Sequence, residues 1–108
     1  MSTPEKRVQN SIMDYLKSLK DSNHPIIYER RQALGTSTKG MPDIWVLYNG
    51  IHIEIECKRL NGGELSTMQE KMRDRLLKAG AIYISPHSKE EVVELFSKII
   101  IQTNNSML

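Results

Sequence analysis

Three side chains in this sequence could do chemistry together: Asp43, Glu56 and Lys58. Two carboxylates held side by side repel one another, and both stay ionised only when a cation compensates them. The ammonium of Lys58, two residues beyond Glu56, offsets one charge of the two, and a divalent ion would offset the rest. Carboxylate oxygens of this kind suit Mg²⁺ or Mn²⁺. The competing reading is that Glu54, Glu56 and Lys58 form the wet face of an amphipathic strand with simple ion pairing. The position of Asp43 favours the metal cradle.

That position follows from the stretch "PDIWVLYNGIHIEIECK". Asn49-Gly50 between two apolar runs is a two-residue hairpin signal. Tyr48 then faces Ile51, and Asp43 lies directly across from Glu56. Side chains alternate between the faces of a strand. Ile51, Ile53, Ile55 and Cys57 therefore share the core side with Ile44 and Val46. The opposite side carries Asp43, Trp45 and Leu47 against His52, Glu54, Glu56 and Lys58. Trp45 and Leu47 are expected to pack under the first helix, and His52 reads as a surface histidine. His24 and His87 fall at turns and are not expected to be ligands.

The remaining elements frame this hairpin. Thr3 is a natural N-cap before Pro4 at the first helical position, and Val8, Ile12, Tyr15, Leu16 and Leu19 recur at helical spacing. Asp21 to Pro25 end that helix, and Ile26 to Gln32 reads as the first strand. "GTSTKG", residues 35–40, has the composition of a loop. Asn61, Gly62 and Gly63 break the chain after the hairpin. Ser66 and Gln69 then suit a capping box for a second helix, with Met68, Met72, Leu76 and Ala79 on its inner face and Gly80 as its stop. Ala81 to Ile84 form a short strand ended by Pro86. Ser88 caps a third helix whose buried side is Val92, Val93, Leu95, Phe96, Ile99 and Ile100. Residues 102–108 are expected to fray. The order is helix, three strands, helix, strand, helix, in one α/β domain spanning 1–108.

A chain of 108 residues supports a single core, and 39% hydrophobic with 26% charged residues is an ordinary globular balance. The net charge of +2 does not by itself indicate a nucleic-acid partner. Its distribution is more informative: Arg30, Arg31 and Lys39 precede the acidic pair, and Lys58 and Arg59 follow it, so a basic rim surrounds an acidic centre. No apolar run is long enough for a bilayer. The N-terminus lacks the apolar core of a secretion signal, and Cys57 has no partner for a disulfide, so a cytoplasmic location is expected.

Pro42-Asp43 followed by Glu56-Cys57-Lys58 resembles the "PD…(D/E)xK" signature of the restriction-endonuclease-like nuclease superfamily. Glu5 and Gln9, Gly40-Met41-Pro42-Asp43, the E-x-K strand and Ser66-x-x-Gln69 are similar to the VRR-NUC nucleases, the virus-type replication and repair group. The likeness is closest to the compact stand-alone phage and bacterial members and covers nearly the whole chain. Cys57 departs from it, since many members carry an aliphatic residue there.

The resemblance implies a restriction-endonuclease-like core of order αβββαβα, with a mixed four-stranded sheet flanked by helices. It implies that Asp43 and Glu56 bind the metal with the backbone carbonyl of Cys57, and that Lys58 orients or helps deprotonate the attacking water. It places Glu5 where it reaches the metal through water or completes a second site, while helix capping with Ser2 is an equal reading of the same residue. Gln69 would lie beside the site as well as completing the cap with Ser66. Arg30, Arg31, Lys39 and Arg59 would contact DNA phosphates. The implied activity is Mg²⁺- or Mn²⁺-dependent hydrolysis of phosphodiesters in branched DNA, as in Holliday (four-way) junction resolution. A homodimer would then supply the two active sites that symmetric incision requires. The alternatives are a flap or end-directed repair nuclease, a DNA-binding module that keeps the fold without cleaving, and a structural α/β domain in which the same residues form ion pairs.

Overall fold

The computed structural model describes residues 3–31, 39–57 and 64–106, the last by its backbone alone. Helix α1 (Pro4–Asp21) leads into β1 (Ile26–Arg30), β2 (Ile44–Tyr48) and β3 (Ile51–Ile55), followed by α2 (Thr67–Lys78), β4 (Ile82–Ile84) and α3 (Lys89–Ser106). The strands form one sheet in the order β1-β2-β3-β4. The first three run antiparallel and β4 lies parallel to β3. The mixed sheet and the element order agree with those expected from the sequence.

Local chemistry explains the ends of these elements. Thr3 Oγ1 accepts from the Lys6 backbone N–H and caps α1, with Pro4 in its first turn. Asn49 and Gly50 both take positive φ, +47° and +85°, as the hairpin's two-residue loop requires. Tyr48 pairs with Ile51, and the ladder continues to Ile44 opposite Ile55. Asp43 and Glu56 stand one step beyond that last pair.

The core fills one side of the sheet. Ile44, Val46, Ile53, Ile55 and Cys57 meet Val8, Ile12, Leu16 and Leu19 of α1 and Val92, Phe96 and Ile99 of α3. Burying side chains of this size stabilises by roughly 1.5–3 kcal/mol each. Tyr15 and Tyr48 both set their rings edge-on to Phe96, at centroid distances of 6.0 and 5.7 Å. Helix α1 thus covers the face of Ile44 and Val46. Trp45 and Leu47, expected beneath it, lie on the opposite face, and Leu47 is exposed.

Two further expectations change. Among the expected inner-face residues of α2, Met72 is buried, but Met68 and Ala79 are exposed. This helix rests on the short β4 and leaves its first turn at the sheet's end. The stretch from Gln102, expected to fray, continues α3 to Ser106. Ile99 anchors its last turns in the core, and Thr103 and Asn104 line a cavity of about 400 Å³ beside the turn Ser22–Pro25 and Tyr48.

Candidate metal and nuclease site

The site lies where β2 begins and where β3 and β4 end. Glu5 in the first turn of α1, Asp43 and Glu56 each offer a carboxylate oxygen, and these oxygens lie within 4.8 Å of one another. Three independent elements therefore deliver three acids to one point. Asp43 and Glu5 are half-buried and Glu56 is buried. Glu54 and Glu56 are 0% and 3% exposed, so this side of β3 is not the wet face of a strand.

Each acid is held by defined contacts. Asp43 Oδ2 accepts from the Cys57 backbone N–H at 2.9 Å, across the hairpin. The Glu56 backbone N–H donates to the Ile84 carbonyl at 3.0 Å, which prolongs the β3–β4 pairing past its last regular residues. Gln69 Nε2 donates to Glu56 Oε1 at 2.9 Å. The same amide's Oε1 accepts from the Ser66 N–H at 2.8 Å, and Ser66 Oγ accepts from the Gln69 N–H, which completes the capping box of α2. Gln69 thus both closes the cap and contacts Glu56, and the cap fixes which way its amide points. Glu5 lies in the acidic cluster, while the cap of α1 is Thr3.

The surroundings favour anions and hard cations alike. Helices α1 and α2 start at this end of the sheet, and α3 starts a short turn after Ile84. Helix N-termini carry partial positive charge, each stabilising a nearby anion by about 0.3–1 kcal/mol. The Cys57 thiol is buried on the core side, and burial, then the charges of Asp43, Glu56 and Glu5, push its pKa far above the usual thiol range. Its sulfur is not among the ligand atoms that gather at this point, which are the oxygens of Glu5, Asp43 and Glu56. The donor set is therefore carboxylate oxygen, which fits Mg²⁺ or Mn²⁺ and disfavours zinc-type thiolate binding.

The basic residues divide. Arg30 donates to Asn10 Oδ1 at 2.7 Å on the exposed flank of β1 and α1, and the Lys39 side chain is exposed. Arg31 places both arms on Glu54, at 2.5 and 2.9 Å, and donates to the Pro42 carbonyl. Its charge first neutralises a carboxylate with no solvent access. Lys58 and Arg59, with residues 35–38 of the glycine-rich loop, lie outside the described residues. His52 is exposed with Nε2 at 2.5 Å from Glu54 Oε2, and His24 faces the Tyr48 hydroxyl.

Two participants escape a reading of the motifs. One is the Arg31–Glu54 pair, for which the sole signal is Glu54 two residues before Glu56 on the same face. The other is the packing of Gly40, a residue of the motif, which sits at φ +84° in the turn before Met41. A Cβ there would stand 2.5 Å from the Met68 carbonyl oxygen, so only glycine lets this turn close on the first turn of α2.

No protein-family model matches the chain, and no curated protein matches it. Two solved structures do. One, described as "VRR_NUC domain", is 22% identical and superposes with a TM-score of 0.70 over 89% of this chain and 97% of its own. A second, "VRR_NUC domain protein", is 17% identical with a TM-score of 0.67, over 91% and 88% of the two chains. The order of elements, the mixed sheet and the extent of both superpositions give this chain the fold of the VRR_NUC domains.

Proposed function

We propose that the chain is a metal-dependent VRR-NUC nuclease that hydrolyses phosphodiester bonds in DNA. The observation that carries this reading is the convergence of Glu5, Asp43 and Glu56, whose oxygens come within 4.8 Å. Carboxylates gathered this closely repel one another, a divalent cation relieves that repulsion, and the oxygen donors fit Mg²⁺ or Mn²⁺. Such an ion supplies a Lewis acid and lowers the pKa of water, which phosphodiester hydrolysis at neutral pH requires.

In this reading Asp43 and Glu56 hold the ion with the Cys57 carbonyl, and Glu5 completes the set directly or through water. The Cys57 N–H and the Gln69 amide aim the two principal carboxylates. Lys58, by its resemblance to the lysine of the E-x-K motif, would orient the attacking water and steady charge on phosphorus. Arg30, Lys39 and Arg59 would contact backbone phosphates, while Arg31 is engaged with Glu54. A cavity of about 470 Å³ between the starts of α1 and α3 is lined by Arg7, Ser11, Ser88, Lys89 and Glu90, beside the first turn of α1.

The substrate of this reading is branched DNA, with four-way junction resolution as its best-fitting case and a cytoplasmic site of action. Symmetric incision needs two copies of a one-site chain. Ile27 and Leu47 pair across β1 and β2 with 61% and 40% exposure, an apolar spot suited to a second copy. Among the described residues no helix is long and apolar enough to cross a membrane.

The test is incubation of purified protein with a labelled four-way junction, a flap and a linear duplex, each with Mg²⁺, Mn²⁺ or chelator. Metal-dependent cutting of the junction is the expected result. Cutting confined to flaps or ends moves the substrate, and DNA retention without cutting under either metal makes the chain a binding module. Neither retention nor cutting overturns the proposal.

A further inference from the structure

Glu54 is 0% exposed yet carries no ligand role, and Arg31 beside it was expected to face DNA. A carboxylate removed from water is unfavourable by several kcal/mol unless its charge and its hydrogen bonds are both answered. Here the two guanidinium arms answer it in fork geometry, at 2.5 and 2.9 Å. The pair does more than neutralise itself. Arg31 Nη1 also donates to the Pro42 carbonyl at 2.9 Å, and the Arg31 backbone N–H donates to the Asp43 carbonyl at 2.7 Å. The peptide carbonyls on both sides of the Asp43 α-carbon are thus tied to one residue. The Asp43 carboxylate itself is tied by Cys57 N–H.

We infer that the Arg31–Glu54 pair is a positioning device for Asp43, with Glu54 locking the guanidinium and Arg31 fixing the backbone from which Asp43 reaches the metal. In this inference the pair acts through Asp43 and not by touching metal or substrate itself. β1 ends at Arg30 and β2 begins at Ile44, so Asp43 falls outside the regular ladder, where backbone geometry is least constrained by the sheet. The Arg31 contacts replace that constraint. Outer groups that orient metal ligands typically change metal affinity by 10–100-fold when removed. This inference rests on the proposed metal role of Asp43.

The experiment compares wild type with Arg31→Met/Glu54→Met and with Glu54→Gln. The double substitution removes both charges together, which buried pairs often tolerate, whereas a single truncation strands one charge. Calorimetry with Mn²⁺ alone should show affinity weakened by at least about tenfold in the double variant. Hydrogen exchange should accelerate at the Cys57 amide, with the Ile53 and Ile55 amides unchanged. Binding of a fluorescent four-way junction in Ca²⁺ should keep its salt dependence, because a lost phosphate contact would reduce the slope by about 0.9. Wild-type Mn²⁺ affinity in a folded double variant overturns the inference, as does a reduced salt slope with unchanged metal binding. Failure of both variants to fold assigns the pair to stability alone and also overturns it. Asp43→Asn separates the two levels. Loss of Mn²⁺ binding there, with full affinity in the pair variants, sinks only the positioning role, while a wild type that binds no Mn²⁺ sinks the metal reading and this inference together.

Discussion

Gln69 donates from Nε2 to Glu56 Oε1 at 2.9 Å while its Oε1 closes the cap of α2 at Ser66. One amide therefore joins the start of a helix to a buried acid of the site, and the two duties can be separated by substitution. Gln69→Ala removes both side-chain bonds but leaves the Ser66 Oγ cap on its backbone N–H, and should lower stability by roughly 0.5–1.5 kcal/mol per bond lost. Gln69→Glu keeps the capping acceptor but sets a carboxylate against Glu56. Its metal-free melting temperature should fall, and added Mn²⁺ should raise it by more than in wild type. Scanning fluorimetry with and without metal reads this, and equal metal shifts in both proteins would remove Gln69 from the site.

Gly40 and Gly80 both have positive φ, +84° and +98°, but a Cβ at Gly80 meets nothing within 4 Å. Gly80→Ala should therefore show the backbone effect alone, about 1 kcal/mol. Gly40→Ala adds a collision with the Met68 carbonyl, in the turn that carries Gln69. It should lose more stability than Gly80→Ala and lose nuclease activity besides. Denaturant melts of the two variants check the difference, and equal losses would show that the contact is not close.

Asp43→Asn keeps an oxygen that accepts from Cys57 N–H but removes a charge from the cluster with Glu5 and Glu56. Mn²⁺ affinity should fall, while metal-free thermal stability should hold or rise as repulsion is relieved. Lys58→Ala should abolish cleavage and leave most of the metal affinity intact. An unchanged calorimetric isotherm for the first variant, or full turnover by the second, would refute the respective role.

The Cys57 thiol has its pKa raised by burial and by the neighbouring acids. Below the ordinary thiol pKa of about 8.5 both folded and unfolded chains hold the proton, and the contribution to stability is full. As pH climbs above that value the unfolded chain loses the proton first, so stability falls. Denaturant midpoints between about pH 8 and pH 9.5 should therefore decline more steeply in wild type than in Cys57→Ala, below the range in which tyrosines titrate. Alkylation of native protein at pH 8 should be far slower than after unfolding.

The hairpin could be read in advance because a two-residue Asn-Gly turn leaves one register, and that register brings Asp43 to Glu56 without knowledge of any other element. The caps at Thr3 and at Ser66 with Gln69 were equally local, whereas the place of Gln69 beside the acids followed from the family resemblance and not from spacing. Arg31 beside Glu54 was not legible: β1 meets β2 across a long connection, so no turn rule sets their register, and the basic residue looked like solvent-facing charge. Met68 and the tail misled for a related reason. Periodicity tells which residues share a helix face, but only tertiary contact tells how far along the helix that face stays covered.

The bend at Asn49-Gly50 lies at the far end of the sheet from the acids, with Ile44 opposite Ile55 marking the other end. A peptide tag or fluorophore spliced into that bend would extend the tip and spare the parity of both strands. A single residue added between Ile51 and Ile55 would instead turn Glu56 toward the oily layer and bring Ile55 out in its place. The spacing between the two halves of the motif is thus elastic at one point along the hairpin and rigid everywhere else.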